Sequence, residues 1–397
     1  MPAGRNGVAF SFWFSAENVI YFVARMKIVF AIDSFKGSLS SLEAGNAAAE
    51  GARRAWGDVR CVVRPLADGG EGTVEALAAG LGGELRSVSV TGPAGRPVTA
   101  TYGIAGTLAI MEMAQAAGIT LVPAAERNPL AATTFGVGEM IGDALAHGCR
   151  RFIVGIGGSA TNDAGAGMLQ ALGFRLLDRD GRDIPRGGAG LTALDRIVPS
   201  DLPALQECEF RIACDVANPL CGERGASAVF GPQKGASPEM VATLDAALAH
   251  FAAVAGGDPG FPGAGAAGGL GFAFREFLGG ELKSGVEIVL EETRFRDAIL
   301  DADIVVTGEG RLDAQTAMGK APIGVARLAK SLGKKVIAFS GCASPDAGVL
   351  NGQGIDAFFP VLREVTTLPE ALDRHNAAAN LAATAEQVFR CFRLGAH

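Results

Sequence analysis

The stretch from Lys27 to Ser38, KIVFAIDSFKGS, decides how the rest of the chain is read. After Lys27 come five apolar residues without interruption, too few for a helix of ordinary length and too uniform for a strand with one wet face. Such a run suits a strand covered on both sides, as in a parallel sheet. The polar turn Asp33-Ser34-Phe35-Lys36-Gly37-Ser38 follows, and a helix is predicted from about Ser40. Strand, turn and helix together open a βα unit, and the carboxyl end of such a strand is where open α/β sheets bind ligands. Helix capping accounts for the serines. It leaves Asp33 and Lys36 unexplained, and these could orient a substrate or metal-bound water and meet a phosphate or carboxylate.

The same grammar recurs outward from this point. Residues 26–66 and 303–360 each read as buried strand, polar turn, helix and strand. Between them lie shorter, more alternating strands such as SVSVTG (87–92) and PVTATYGI (97–104). This pattern predicts an α/β fold in which the two ends of the chain build one sheet around an inserted domain. Strands are expected near 27–32, 59–64, 86–90, 98–104, 108–113, 151–156, 174–178, 209–214, 303–307, 335–340 and 355–360. Helices are expected near 40–56, 70–80, 133–147, 161–172, 238–256, 318–331 and 368–392. The stretch 256–269, GGDPGFPGAGAAGG, reads either as a linker or as a ligand-facing glycine loop.

Length and composition narrow the classes. The 397 residues, 49% hydrophobic and 19% charged with 56 glycines, suit a compact α/β enzyme of two or three domains. A net charge of −7 without a dense Lys/Arg run argues against a nucleic-acid partner. An acidic protein that handles anions must place its cations locally, at helix N-termini and single lysines. The seven cysteines lack zinc-like spacing and are expected as reduced thiols of a cytoplasmic protein. Residues 1–25 hold an apolar tract broken by Ser15, Glu17 and Asn18, which does not suit a signal peptide. They are expected to be a non-structural extension, with Met26 as the natural start. No later segment has the run of about 20 apolar residues of a spanning helix, so no membrane partner is expected.

Four further turns sit just past predicted strands. In Asp68-Gly69-Gly70-Glu71-Gly72-Thr73 the glycines let a backbone approach an anion, while Asp68 and Glu71 would repel it unless a cation such as Mg²⁺ stood between. The loop Gly155-Ile156-Gly157-Gly158-Ser159-Ala160-Thr161-Asn162-Asp163 could cradle phosphate at a helix N-terminus. It also matches G-x-G-x-x-A, and Asp178 closes the next strand, which supports a rival reading as a nicotinamide-dependent oxidoreductase acting on a small hydroxy acid. Against that rival, Asp163 in the first turn would oppose a pyrophosphate. Asp215 in Cys214-Asp215-Val216-Ala217-Asn218-Pro219 and Lys234 in Phe230-Gly231-Pro232-Gln233-Lys234-Gly235 place a base and a cation on adjacent loops. The last turn, from Thr307 to Pro322, packs Glu309, Arg311, Asp313, Gln315 and Lys320 behind a strand that reads as central. It is not a Walker A loop. The histidines fall on predicted helices or at the C-terminus and receive no catalytic role.

Taken in order, DSFKGSLS (33–40), PLADGGEGT (65–73), GIGGSATND (155–163), CDVANPL (214–220), VFGPQKGA (229–236), AGAAGGLG (264–271) and TGEGRLDAQTAMGKAP (307–322) resemble the type I glycerate kinase family. One departure is Ala164, where that family often has glycine. Alanine is tolerated there unless the backbone needs a positive φ. The resemblance implies transfer of phosphate from ATP to D-glycerate with Mg²⁺, giving 2-phosphoglycerate. It also implies two α/β domains with the active site in the cleft between them: a discontinuous Rossmann-like domain (26–90 and 285–397) and an inserted domain (91–284).

Phosphoryl transfer needs positioning, charge neutralisation and a group that takes the hydroxyl proton. Asp215 or Asp313 is expected as that base, with Lys36 and Lys234 as catalytic cations. Asp33, Ser34, Arg311, Lys320 and Gln315 are expected to bind the substrate. Gly157, Gly158, Ser159 and Asn162 are expected at the nucleotide phosphates, and Asp68, Glu71 and Glu309 at Mg²⁺. The protein is expected as a monomer or homodimer. A non-catalytic glycerate-binding protein of the same fold is a third reading, but acids in several separate strand-end turns exceed what a binding pocket needs.

Overall fold

The structure is a computed structural model that describes residues 26–394. The extension expected over residues 1–25 lies outside the described residues. In chain order the strands are β1 (Lys27–Ile32), β2 (Arg60–Val63), β3 (Glu84–Thr91), β4 (Pro97–Ala105), β5 (Leu108–Glu112), β6 (Arg151–Gly155) and β7 (Arg175–Leu177). They continue as β8 (Arg196–Val198), β9 (Glu209–Ala213), β10 (Glu281–Lys283), β11 (Ile304–Leu312), β12 (Lys335–Ala343) and β13 (Ala357–Pro360).

The first sheet has the order β13-β12-β11-β1-β2, and every pairing in it is parallel. All six residues of β1 are buried, as expected for a strand covered on both faces. One face packs on the helices Ser41–Trp56 and Arg374–Leu394, with Phe30 edge-on to Phe389 at 6.2 Å. Ser40 begins the first of these helices with a capping box to Glu43. Renumbered by its own strands, this sheet has the doubly wound order 2-1-3-4-5. Its strand order reverses between β1 and β11, and ligands of such sheets bind beyond the carboxyl ends at that point.

The second sheet has the order β10-β9-β6-β5-β4-β3, antiparallel at the β3-β4-β5 edge and parallel from β5 to β10. β3 pairs with β4 along its whole length. The chain therefore passes to the second sheet before residue 90, by way of the helix Thr73–Gly80 that packs on β4 and β5. β7 and β8 form a separate hairpin. Between the two sheets lies one continuous apolar core. Val29, Ala31 and Val305 of the first sheet share it with Ile110, Ile153 and Ala213 of the second, together with residues of the helices Gly285–Glu292 and Ala321–Ser331. This shared layer aligns the carboxyl ends of β1, β11, β6 and β9 around one opening.

Three helix starts differ from expectation, and the helix predicted from residue 70 begins at Thr73. The helix predicted over 161–172 begins only at Ala166, because the buried Asp163 carboxylate takes the backbone N–H groups of Gly165 and Gly167 and folds the preceding residues into a loop. The one predicted from 318 begins at Ala321, after a short turn that ends on Gly319 with φ 106°. The stretch 256–269 is no exposed linker. A Cβ on Gly268 would stand 2.1 Å from the Thr161 carbonyl, and one on Gly265 2.2 Å from that of Pro219.

Candidate functional site

Asp33 leaves β1 at the point of strand reversal, where its backbone N–H donates to the Gly308 carbonyl at 2.8 Å. Its carboxylate is buried and accepts the Ser34 N–H at 2.7 Å. Burial pushes its pKa up to about 7, and the negative charge of Asp68 adds to the rise, with a smaller part from Glu309. Glu309 comes from the neighbouring β11, accepts the Thr316 hydroxyl at 2.6 Å and has Lys320 Nζ at 3.9 Å. Burial also raises its pKa, and the charges of Asp313 and Asp68 act in the same direction. Asp215, from the end of β9 in the other sheet, accepts the Gly285 N–H at 3.3 Å and is raised by burial, with Asp68 adding to it. Asp68 thus acts on Asp33 and Glu309 of one sheet and on Asp215 of the other.

The approach of Asp68 to both sheets depends on glycine. A Cβ on Gly69 would lie 2.6 Å from Ala213 Cβ, and one on Gly155 2.2 Å from the Gly69 carbonyl. Gly285 is tighter still, since its Cβ would meet the Asp68 carbonyl at 1.9 Å. Gly285→Ala is therefore expected to push the Asp68 loop off β9, with a stability loss of about 1–3 kcal/mol from overpacking. Urea unfolding, together with turnover at saturating substrate, measures both effects. An unchanged midpoint with full turnover would show that the loop tolerates displacement.

Two cavities open on Asp68 and Asp215 of this cluster, while Asp33 and Glu309 stand behind and line neither. The larger, about 1200 Å³, runs over the helices Gly285–Glu292, Phe295–Ile299 and Ala321–Ser331 and is lined by Lys283, Arg294, Arg296, Lys320 and Arg327 among others. The smaller, about 420 Å³, is lined by Gly157, Gly158, Ser159, Gln233, Lys234 and the Ala266–Ala267 loop. Asp68, Cys214, Asp215 and Val216 line both.

Of the residues expected from sequence, Asp33, Asp68, Asp215, Glu309 and Lys320 converge, and Gly157, Gly158, Ser159 and Lys234 line the smaller cavity. Lys36 is exposed and partly offsets the charge around Asp33. Arg311 and Gln315 are exposed as well. Asp313 lines neither cavity. Its carboxylate accepts the N–H groups of Gln315 at 2.9 Å and Thr316 at 3.1 Å, so it shapes the turn that presents Thr316 to Glu309.

Glu71 is exposed and acts on Glu112 rather than lining either cavity. Asn162 is fully buried and donates to Ser227 Oγ at 2.8 Å behind the glycine loop. Its neighbour Asp163 is equally buried, raised by burial, and bonded to Thr134 and to the start of its own helix. Asp178, the acid that supported the oxidoreductase reading, takes the N–H groups of Asp180 and Arg182 and closes a turn of its own. It lines neither cavity.

Ala164 has φ 53°, so the position does hold a left-handed backbone, at a cost of about 1 kcal/mol for a residue with a Cβ. Sequence reasoning passed over Glu112. This buried acid ends the apolar strand β5, accepts the N–H groups of Thr73 and Val74, and is pushed up to about 7 by burial. A lone carboxylate closing the run LAIME was its signal. The helix Gly285–Glu292, which lines the larger cavity with Val286, Glu287, Leu290 and Glu291, was also missed.

The donor set suits Mg²⁺. Among the described residues no group of three His, Cys, Asp or Glu side chains is close enough to hold a metal alone. Mg²⁺ does not need one, since it keeps several waters and binds through one or two carboxylates plus phosphate oxygens. Asp68 with one of its neighbours Asp33 and Glu309, whose repulsion by Asp68 a cation would relieve, provides that number.

Residues 28–393 match the Glycerate kinase family. The chain is 49% identical to a glycerate kinase of Haemophilus influenzae over 380 residues, covering 94% of this chain and 100% of that protein. It is 50% identical to glycerate 2-kinase of Escherichia coli K12 over 372 residues, covering 90% and 98%. A crystal structure of a glycerate kinase 2 candidate from Salmonella typhimurium LT2 superposes with a TM-score of 0.86 at 48% identity, over 93% of this chain and 99% of that one.

Proposed function

The chain belongs to the glycerate kinase family, and from that premise we propose that it transfers the γ-phosphoryl group of ATP to the 2-hydroxyl of D-glycerate, yielding 2-phosphoglycerate and ADP. The observation that supports the chemistry is the position of Asp68 between Asp33 and Glu309 of one sheet and Asp215 of the other, at the wall common to both cavities. Phosphoryl transfer requires donor and acceptor in line with their charge neutralised, and little covalent help.

Asp215 takes the hydroxyl proton as the substrate oxygen forms its bond to the γ-phosphorus and the bond from that phosphorus to the β,γ-bridging oxygen breaks. Its raised pKa keeps the carboxylate basic enough for the task. Asp68, with Asp33 and Glu309 beside it, would hold Mg²⁺, which when bound neutralises phosphate charge. Lys320, tethered near Glu309, steadies the transferring group. Asp313 acts through Thr316 and Glu309, positioning them without touching the substrate. The unit carrying the first sheet and the unit carrying the second are proposed as two domains that meet at this cleft, and the protein as a cytoplasmic monomer or homodimer. Among the described residues no helix is long and apolar enough to cross a membrane.

A coupled ADP-release assay across small hydroxy acids, with the product read by phosphorus NMR, tests the proposal. ADP formation dependent on D-glycerate, a product signal coupled to the C2 proton, and loss of turnover with EDTA are expected. Glycerate binding without ADP release would instead establish a binding protein.

A further inference from the structure

Two cavities meet at one acidic wall, yet they differ in size and in the number of cations they hold. The larger gathers Lys283, Arg294, Arg296, Lys320 and Arg327 around apolar side chains such as Leu290, interleaved with Glu287, Glu291 and Asp297, and Lys283 is already paired with Glu281. Arg294 stands in the left-handed region, with φ 48°, at the junction of the helices Gly285–Glu292 and Phe295–Ile299. Strain of this kind persists only where the surrounding structure imposes it, and it concentrates at ligand sites. The arginines and Lys320 can meet phosphates and the apolar surface a base, which together match a base linked to a chain of phosphates.

The smaller cavity has one cation. Lys234 is 2% exposed, and its Nζ donates to the Thr161 carbonyl at 2.7 Å. An ammonium carries three donors, so this bond alone does not satisfy it, and a desolvated charge is costly until an anion compensates it. Burial lowers the Lys234 pKa to about 7, and the nearby Asp163 carboxylate offsets only part of that. The Thr161 hydroxyl and the Asn162 carbonyl oxygen next to it are also buried without a partner. Gly157 has open space where a Cβ would stand, and Gly158 has φ 73°, so their backbone can come close to a small ligand.

We propose that the substrates divide between the cavities, ATP occupying the larger one and glycerate the smaller, with the glycerate carboxylate held by Lys234 and the Gly157–Ser159 loop. This rests on the kinase function proposed above and assigns to the acid a loop whose sequence reads as a phosphate cradle. The hydroxyl then faces the γ-phosphate across the shared wall formed by Asp68 and Asp215. Specificity for a short acid follows from size, since the smaller cavity has about a third of the larger one's volume, with Phe230 and Ile156 in its wall beside the glycine loop.

Calorimetric titration with D-glycerate alone and with the ATP analogue AMP-PNP plus Mg²⁺ alone, joined to separate KM values for the two substrates, tests the division. Lys234→Met and Ser159→Ala are expected to weaken glycerate by about tenfold or more, the loss of a charged hydrogen bond, while AMP-PNP stays within about threefold. Arg294→Ala and Arg327→Ala should do the reverse. Should Lys234→Met fail to fold by circular dichroism, Ser159→Ala carries the glycerate arm. Weaker AMP-PNP with intact glycerate in the Ser159 or Lys234 variants, or weaker glycerate in the arginine variants, overturns the division. If the wild type releases no ADP with glycerate, the kinase function falls, whereas the dissociation constants for AMP-PNP still decide which cavity holds nucleotide.

Discussion

Asp215→Asn is expected to lower kcat by about 10²–10⁴, the usual contribution of a positioned general base, while leaving the protein folded. The substituted amide keeps an oxygen for the Gly285 N–H, which the carboxylate now accepts at 3.3 Å. It cannot take a proton from the substrate hydroxyl. Removing a negative charge close to Asp68 also relieves repulsion, so nucleotide affinity should hold or improve. Asp313→Asn provides the comparison. Its carboxylate shapes the Thr316 turn, and the amide oxygen can still accept the Gln315 and Thr316 N–H groups. Its effect on kcat should stay within about tenfold, as expected for a group that acts only through its neighbours. Steady-state kinetics with single-turnover phosphate transfer separate chemistry from product release. If Asp215→Asn turned over within threefold of wild type while Asp313→Asn lost most activity, the two acids would exchange roles.

Asp33→Asn should stabilise the metal-free protein and abolish most turnover. In the folded chain the Asp33 pKa is raised from 3.8 to about 7. Between those values the folded state binds more protons than the unfolded one, so stability falls as pH rises through the window. The cost is absent below about pH 4 and fully developed above about pH 7. That rise in pKa corresponds to about 4 kcal/mol, of which about 2 kcal/mol should be recovered after local relaxation. The Ser34 N–H keeps its acceptor in the amide.

Urea unfolding without divalent cations, at pH 5 and pH 8, reads the difference between wild type and variant. Glu112 titrates in the same window but cancels from that difference. A gain at pH 8 that shrinks toward pH 5 is expected. A loss at both values would mean that the acid cluster carries no electrostatic strain. Stability gained with activity lost is the usual signature of a group kept for function.

Much of this was legible along the chain because its causes are local. An unbroken apolar run followed by a polar turn announces a buried strand and its ligand-facing end, and β1, β6 and the start of β11 follow that rule, whereas β9 carries Arg211 in its middle. The signal fails for short elements. The helix Gly285–Glu292 opens on glycine and alternates GVEIVLEE, a pattern that strand and helix share, so neither its helical form nor its part in the cavity wall could be read. The residue-90 boundary placed β3 with the first block for a similar reason, since no local signal records which strand a segment will pair with.

The sequence by itself determined which residues stand at strand ends and are free to do chemistry, because strand and turn formation depend on neighbours a few positions away. Only the tertiary structure decided which of them meet. Asp68 reaches Asp33, Glu309 and Asp215 while Glu71, three residues further on, stays exposed, and Lys234 lies buried behind a loop more than seventy residues earlier in the chain. Such proximities arise from strand order and from the apolar layer shared by two sheets, and those come from packing between segments far apart in the chain.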